Sequence, residues 1–233
     1  YALDATDRDA PKALWKINGG SGDFSELGQT WSTPVKTKLN IGGTETDVLF
    51  FAGGYDEDQD DVATITEDDM GRALYVVDAK TGSRLWWAGP KGSGANLELS
   101  QMKYSMPASP KVLDIDGDGL ADQAYIGDMG GQIWRFDFNN GNSAGTLGFG
   151  GRIANLSGGD HASARRFYHT PDLSVSTFWG KRYLNLVIGS GFHAHPLNKV
   201  IEDRAYMIRI PELFSAPVDA STGDVTYTTL TES

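Results

Sequence analysis

The segment Asp114-Ile115-Asp116-Gly117-Asp118-Gly119-Leu120-Ala121-Asp122 sets carboxylates at positions 1, 3, 5 and 9 of a nine-residue loop, with glycine at position 6. A hard cation of the calcium type takes six to eight oxygen ligands at about 2.3–2.6 Å, more than one side chain supplies. Alternating ligand and spacer turns the carboxylates toward one centre, and Gly119 permits the sharp bend. The Leu120 carbonyl, at position 7, completes the inner shell. The spacing therefore predicts a Ca²⁺ site built from Asp114, Asp116, Asp118, Leu120 and Asp122. Mg²⁺ fits less well, because it keeps more of its waters. The alternative is a solvated acidic turn, against which stand four Asp at this spacing and a glycine where the bend falls.

The loop is not an ordinary EF-hand. Position 12 is Tyr125 where a bidentate Glu is required, and no helix pattern flanks it. Other chemistry is sparse. His193 and His195 stand two apart and share a face if they lie on a strand, yet a loop after Gly191 is the simpler reading, with no metal between them. The acidic stretch from Asp56 to Asp69 lacks alternate spacing and a positioned glycine, so it reads as a solvated loop and not as a second cation site. No nucleophile-elbow glycine pattern surrounds any Ser, so no catalytic residue is assigned and the chain is read as non-enzymatic. The six Trp offer a sugar platform on one reading. Their places on repeated strands favour packing between sheets.

The elements that must position the loop recur along the chain. Thr33-Pro34, Ser109-Pro110 and Thr170-Pro171 are each followed, 17 to 19 residues after the Pro, by the glycine that closes an apolar run: Gly53, Gly127 and Gly189. An alternating strand then follows: Ala73 to Asp78, Gln132 to Asp137, and Ala205 to Arg209. Apolar runs bounded by Gly, Asn and Asp are the strand signal, and no convincing helix-period segment is present. Four strands per repeat, head to tail, predict an all-β, quinoprotein-like β-propeller of four-stranded antiparallel blades. The repeats fall at about residues 30–100, 101–165 and 166–230 of one propeller domain, with an acidic insertion at 55–70 and an irregular connector at 141–164. In the first and third repeats the slot between first and second strands is a plain turn, at Asn40 to Asp47 and Trp179 to Arg182. The second repeat is expected to carry a metal-stapled turn there, so that loss of the ion is felt locally first. Three blades and part of a fourth do not close a ring of about 4–8. With Tyr1-Ala2-Leu3-Asp4-Ala5 opening in strand-like sequence without an initiator Met, the expectation is a piece of a longer secreted or periplasmic protein.

Composition agrees. The 233 residues carry 20 Lys and Arg against 31 Asp and Glu, a net charge of −11 that argues against a general nucleic-acid binder. The 29 glycines exceed the ~7% of average usage, as many tight turns require. Zero Cys excludes a disulfide scaffold and Cys-ligated zinc or iron–sulfur sites. No apolar run approaches the ~18 residues of a membrane-spanning helix.

Two blocks of residues resemble a known family. Lys111-Val112-Leu113 through Asp122, with Tyr125-Ile126-Gly127-Asp128 and Ile133 to Asp137, resembles the C-terminal domain of the PilY/PilC-type tip-associated proteins of type IV pili. So does Val187 to Phe192 with His195-Pro196-Leu197 and Asp203 to Tyr206. The resemblance spans roughly residues 30 to 210. It implies a modified propeller with one calcium loop, ligated at Asp114, Asp116, Asp118, Leu120 and Asp122, whose occupancy bears on pilus extension versus retraction and hence on twitching motility and surface adhesion. It also implies a place at the cell surface and pilus tip, reached through the periplasm and outer membrane, with major or minor pilins as partners. A host-surface receptor belongs to regions outside this chain. Ala73 to Trp86 resembles the docking strand of quinoprotein propellers, where Trp86 packs between blades. A pyrroloquinoline-quinone dehydrogenase is disfavoured, because the vicinal disulfide that often holds its cofactor is impossible here. Integrin-like repeat propellers, the other alternative, carry such loops in several blades.

Overall fold

The structure, a computed structural model, describes residues 1–219 and 221–232. No α-helix occurs among them, and no helix is long and apolar enough to cross a membrane. The first sheet runs β3 (Val35–Ile41), β4 (Thr44–Ala52), β5 (Leu74–Asp78) and β6 (Arg84–Pro90), all antiparallel neighbours. The short strand β7 (Leu97–Leu99) adds parallel to β6. The second sheet repeats this order with β8 (Lys111–Leu113), β9 (Gln123–Gly127), β10 (Gln132–Phe138) and β11 (Gly148–Asn155). Its parallel fifth strand is β15 (Leu230–Thr231), paired to β11. The third sheet has three strands: β12 (Asp172–Phe178), β13 (Lys181–Gly189) and β14 (Ala205–Ile210). A ribbon of β1 (Ala2–Asp4) and β2 (Lys12–Trp15) precedes them.

Pro34, Pro110 and Pro171 each stand one residue before the first strand of a sheet, a position where a missing N–H breaks no ladder bond. Two departures from the sequence reading follow from pairing. Gly148–Asn155 lies within the stretch read as an irregular connector, yet it is the fourth strand of the second blade. Its glycines make room: an added Cβ on Gly148 meets the Trp86 ring at 2.7 Å, and one on Gly150 meets Phe136 at 2.4 Å. Among the described residues of 211–232, none adds a fourth strand to the third blade. Pro211 ends β14, and the chain crosses to the second blade, where Arg135 donates to the carbonyls of Glu212 and Ser215 at 2.8 Å each.

The sheets stack face to face, and the period of two sorts their side chains. Ala124, Ile126, Trp134, Phe136 and Phe138 of the second blade pack with Leu39, Val48, Phe50, Val76 and Trp86 of the first. Tyr125 and Ile133, pointing the other way, pack with Leu184, Leu186, Ile188 and Ile208 of the third. Trp86 is buried at the first seam, edge-on to Phe138 at 5.4 Å and Phe136 at 6.4 Å. Trp134 shares that seam and Trp87 packs on the outer face of the first blade, whereas Trp31 and Trp179 are exposed. The second blade is thus clamped on both faces, and its hairpin end carries the acidic loop.

Candidate metal centre

The three equivalent hairpins differ as their sequences require. Gly42-Gly43 and Trp179-Gly180 are two-residue turns with positive φ at both positions (60° and 86°; 48° and 76°), the geometry that matches strand twist. Between β8 and β9 the same connection takes nine residues, Asp114 to Asp122. Gly117 and Gly119 adopt φ of 83° and 90°, a region L side chains rarely enter.

The loop is built by its own carboxylates. Asp114 accepts from the Gly117 N–H at 2.7 Å and the Gly119 N–H at 2.9 Å. Asp116 accepts from the Asp118 N–H at 3.1 Å, and Asp118 from the Leu120 N–H at 2.8 Å. Asp122 reaches back to the Ile115 N–H at 2.6 Å, closing the loop at its base. One carboxylate oxygen each of Asp114, Asp116 and Asp122 then lies within 4.8 Å of the others, the sole such group of metal-capable side chains among the described residues. A carboxylate oxygen has two lone pairs, so these backbone bonds leave acceptor capacity for a cation. The donor set is all oxygen, as calcium chemistry requires. Asp118 stands outside the gathered trio, its carboxylate turned to Leu120 N–H.

Electrostatics favour a cation. Burial pushes the Asp122 carboxyl above its ordinary value; the Ile115 N–H pulls it back, and the charges of Asp116 and Asp118 add to the rise. A proton therefore competes with the metal above the usual carboxylate range. Calcium affinity, measured by titration calorimetry, is expected to fall as the pH drops through the raised Asp122 titration, and to begin falling at a higher pH than in a site of ordinary carboxylates, because the metal requires Asp122 ionised. An Asp122→Asn variant that binds calcium as tightly as wild type removes Asp122 from the ligand set.

Among the described residues, the remaining candidates form no gathered group of three metal-capable side chains. His193 and His195 lie in a loop, not on a strand: His193 stacks on Tyr168 at 4.1 Å, and His195 sits edge-on to Phe192 at 5.0 Å. The acidic insertion is more structured than a solvated loop. Buried Asp56 accepts from the N–H groups of Asp58, Asp69 and Met70, and buried Asp68 accepts from Gln59 and from the Ser105 N–H. Burial pushes Asp68 up to about 6. Lys38 and Asn140 touch the acidic loop from outside it. Ala121, wholly buried, donates its N–H to the Lys38 carbonyl at 2.9 Å, and the Asn140 side-chain amide donates to the Ala121 carbonyl at 3.0 Å. No local spacing links residues so far apart, and an Asn in a hairpin turn reads as turn chemistry alone.

Comparison with known proteins places the chain. A family model described as the PilY1 β-propeller domain matches residues 1–160. The type IV pilus biogenesis factor PilY1 of Pseudomonas aeruginosa is 32% identical over 139 residues, which is 59% of this chain and 10% of that protein. A PilY1 homolog of Xylella fastidiosa is 28% identical over 143 residues, 60% of this chain and 9% of that protein. The aligned stretch is thus about a tenth of the length of either relative. The crystal structure of the P. aeruginosa PilY1 C-terminal domain superposes on 99% of this chain and 45% of its own, with a TM-score of 0.66 at 21% identity, a likeness of fold. With repeated blades, one modified hairpin and a family match across 160 residues, the chain belongs to the PilY1 β-propeller family.

Proposed function

We propose that this chain is a non-catalytic, calcium-binding part of one propeller domain in a type IV pilus biogenesis protein, and that loop occupancy biases pilus extension against retraction. The observation that carries this reading is the gathering of Asp114, Asp116 and Asp122 carboxylates within 4.8 Å at the one of the three first-to-second-strand hairpins that departs from a two-residue turn. Asp118 and the Leu120 carbonyl complete the shell in this reading, with water filling what remains. The family and the names of the relatives support a pilus setting, with pilins as partners and the pilus tip at the cell surface as its place. Twitching motility and surface adhesion follow as the processes it serves.

Physically, the ion replaces mutual repulsion of four carboxylates in one turn by shared attraction to one centre. The loop then presents a fixed shape to the pilus machinery. Bacteria whose pilus protein carries Asp116→Ala are expected to show altered pilus display or twitching at normal protein levels. Normal assembly, extension and retraction in cells whose variant binds no calcium at this loop leaves the site a structural staple and ends the regulatory reading.

A further inference from the structure

The metal loop has a buried side as well as an exposed one. Asp114, Asp116 and Asp118 face solvent, but Ala121 is fully buried among Leu39, Val48 and Phe136 at the seam of the first two blades. Ala121 stands between Leu120 and Asp122, two of the proposed ligands, and neither of its backbone groups bonds within its own loop. Its N–H donates to the Lys38 carbonyl in β3 of the first blade at 2.9 Å. Its carbonyl accepts from the Asn140 side-chain amide at 3.0 Å.

Asn140 carries the contact onward. Its Oδ1 accepts from the Asn40 N–H at 2.8 Å, so one side chain holds the metal loop with its amide and the first blade with its oxygen. Two backbone bonds complete the knot: Gly141 N–H to the Asn40 carbonyl and Gly42 N–H to the Asn142 carbonyl, each at 2.8 Å. The end of β3, the turn between β10 and β11, and the metal loop therefore form one hydrogen-bonded junction. A cation that fixes Leu120 and Asp122 also fixes the peptide planes on both sides of Ala121, whose N–H and C=O directions those planes set.

We propose that Ala121 and Asn140 clasp the metal loop to the first blade, so that calcium occupancy sets the rigidity of the seam between the first two blades and not of the loop alone. This rests on the calcium reading. Asn140 is a positioning residue: it touches no ion, and its effect is on how occupancy travels.

Amide hydrogen exchange on the intact protein, with calcium and with chelator, tests the clasp. Calcium is expected to slow exchange at least tenfold at Asn40, Gly42 and Gly141 as well as within Asp114 to Asp122. Asn140→Asp keeps the acceptor for Asn40 and removes the donor to Ala121; Asn140→Ala removes both. In either folded variant, calorimetry is expected to show calcium still bound within about threefold of wild type. The calcium-dependent protection of Asn40 and Gly42 is expected to disappear while that of the loop persists. Protection confined to residues 114–122 in the wild type overturns the clasp and leaves the metal site standing. So does protection of Asn40 that is equal in wild type and Asn140→Asp. Absence of calorimetric binding in the wild type overturns both.

Discussion

Asp137→Ala is expected to lower the unfolding free energy by about 3–5 kcal/mol, the loss that follows when one member of a buried ion pair is removed. Arg135 is 1% exposed and lies at the centre of the second blade. Its Nε and Nη2 donate to the Asp137 carboxylate at 2.8 Å and 2.6 Å, with the Tyr227 hydroxyl adding a further donor to the same carboxylate at 2.6 Å. Burial opposes the Arg135 charge, but the hydrogen bonds and charge of Asp137 more than offset it and hold the guanidinium above its ordinary value. Without Asp137 the cation keeps its desolvation cost and loses its compensation. For a chain of this size the melting temperature is expected to drop by roughly 6–20 °C. The double variant Arg135→Met, Asp137→Leu should recover part of the loss, because no charge is left orphaned, while the Tyr227 hydroxyl and the Glu212 and Ser215 carbonyls still lose their partners. A single variant that melts within 2 °C of wild type shows that solvent or a rearranged Glu212 compensates the guanidinium, and removes the pair as an anchor of residues 211–232.

Calcium is the second large effect expected. At a free concentration 100 times its dissociation constant, a ligand bound only by the folded state adds about 2.7 kcal/mol. The melting temperature should therefore rise by roughly 5–11 °C on loading and fall back with chelator. Asp116→Ala is expected to weaken binding at least tenfold, about 1.4 kcal/mol, and to shrink this shift at sub-saturating calcium. Its own metal-free stability should be close to wild type, because Asp116 is exposed and its one hydrogen bond, to the Asp118 N–H, lies within the loop. A melting curve indifferent to calcium and chelator contradicts the site. The two predictions separate in mechanism: one removes compensation inside a blade, the other removes an ion from its edge.

Much of this was readable from one dimension. Strand identity rests on a period of two and on punctuation by Pro and Gly, both local properties. Hence Pro34, Pro110 and Pro171 mark the first strands, and Ala124 and Ile126 separate from Tyr125 by face. The acidic loop was legible for the same reason: its carboxylates are close in sequence, and its bend needs glycine at fixed offsets. Gly148–Asn155 escaped because a glycine-rich strand has no alternating pattern. It becomes a strand by pairing with β10, where its absent side chains leave room for Trp86 and Phe136.

The tertiary structure alone decided matters that depend on pairing across long separations. Sequence carries no signal that the chain after Pro211 returns to the second blade, since Arg135 and the carbonyls it holds are 77 and 80 residues apart. Nor does it show that, of four carboxylates that all accept from backbone N–H groups, Asp114, Asp116 and Asp122 gather while Asp118 stays outside. The loop read from sequence as a turn between the first and second strands has its Ala121 at the core seam, bonded to Lys38 and Asn140. Carboxylate spacing is a relation among neighbours in the chain, so the sequence determined where the acidic loop would fall; which blade that loop is bonded to depends on backbone groups that every residue carries alike, and only the packing of sheet on sheet selects among them.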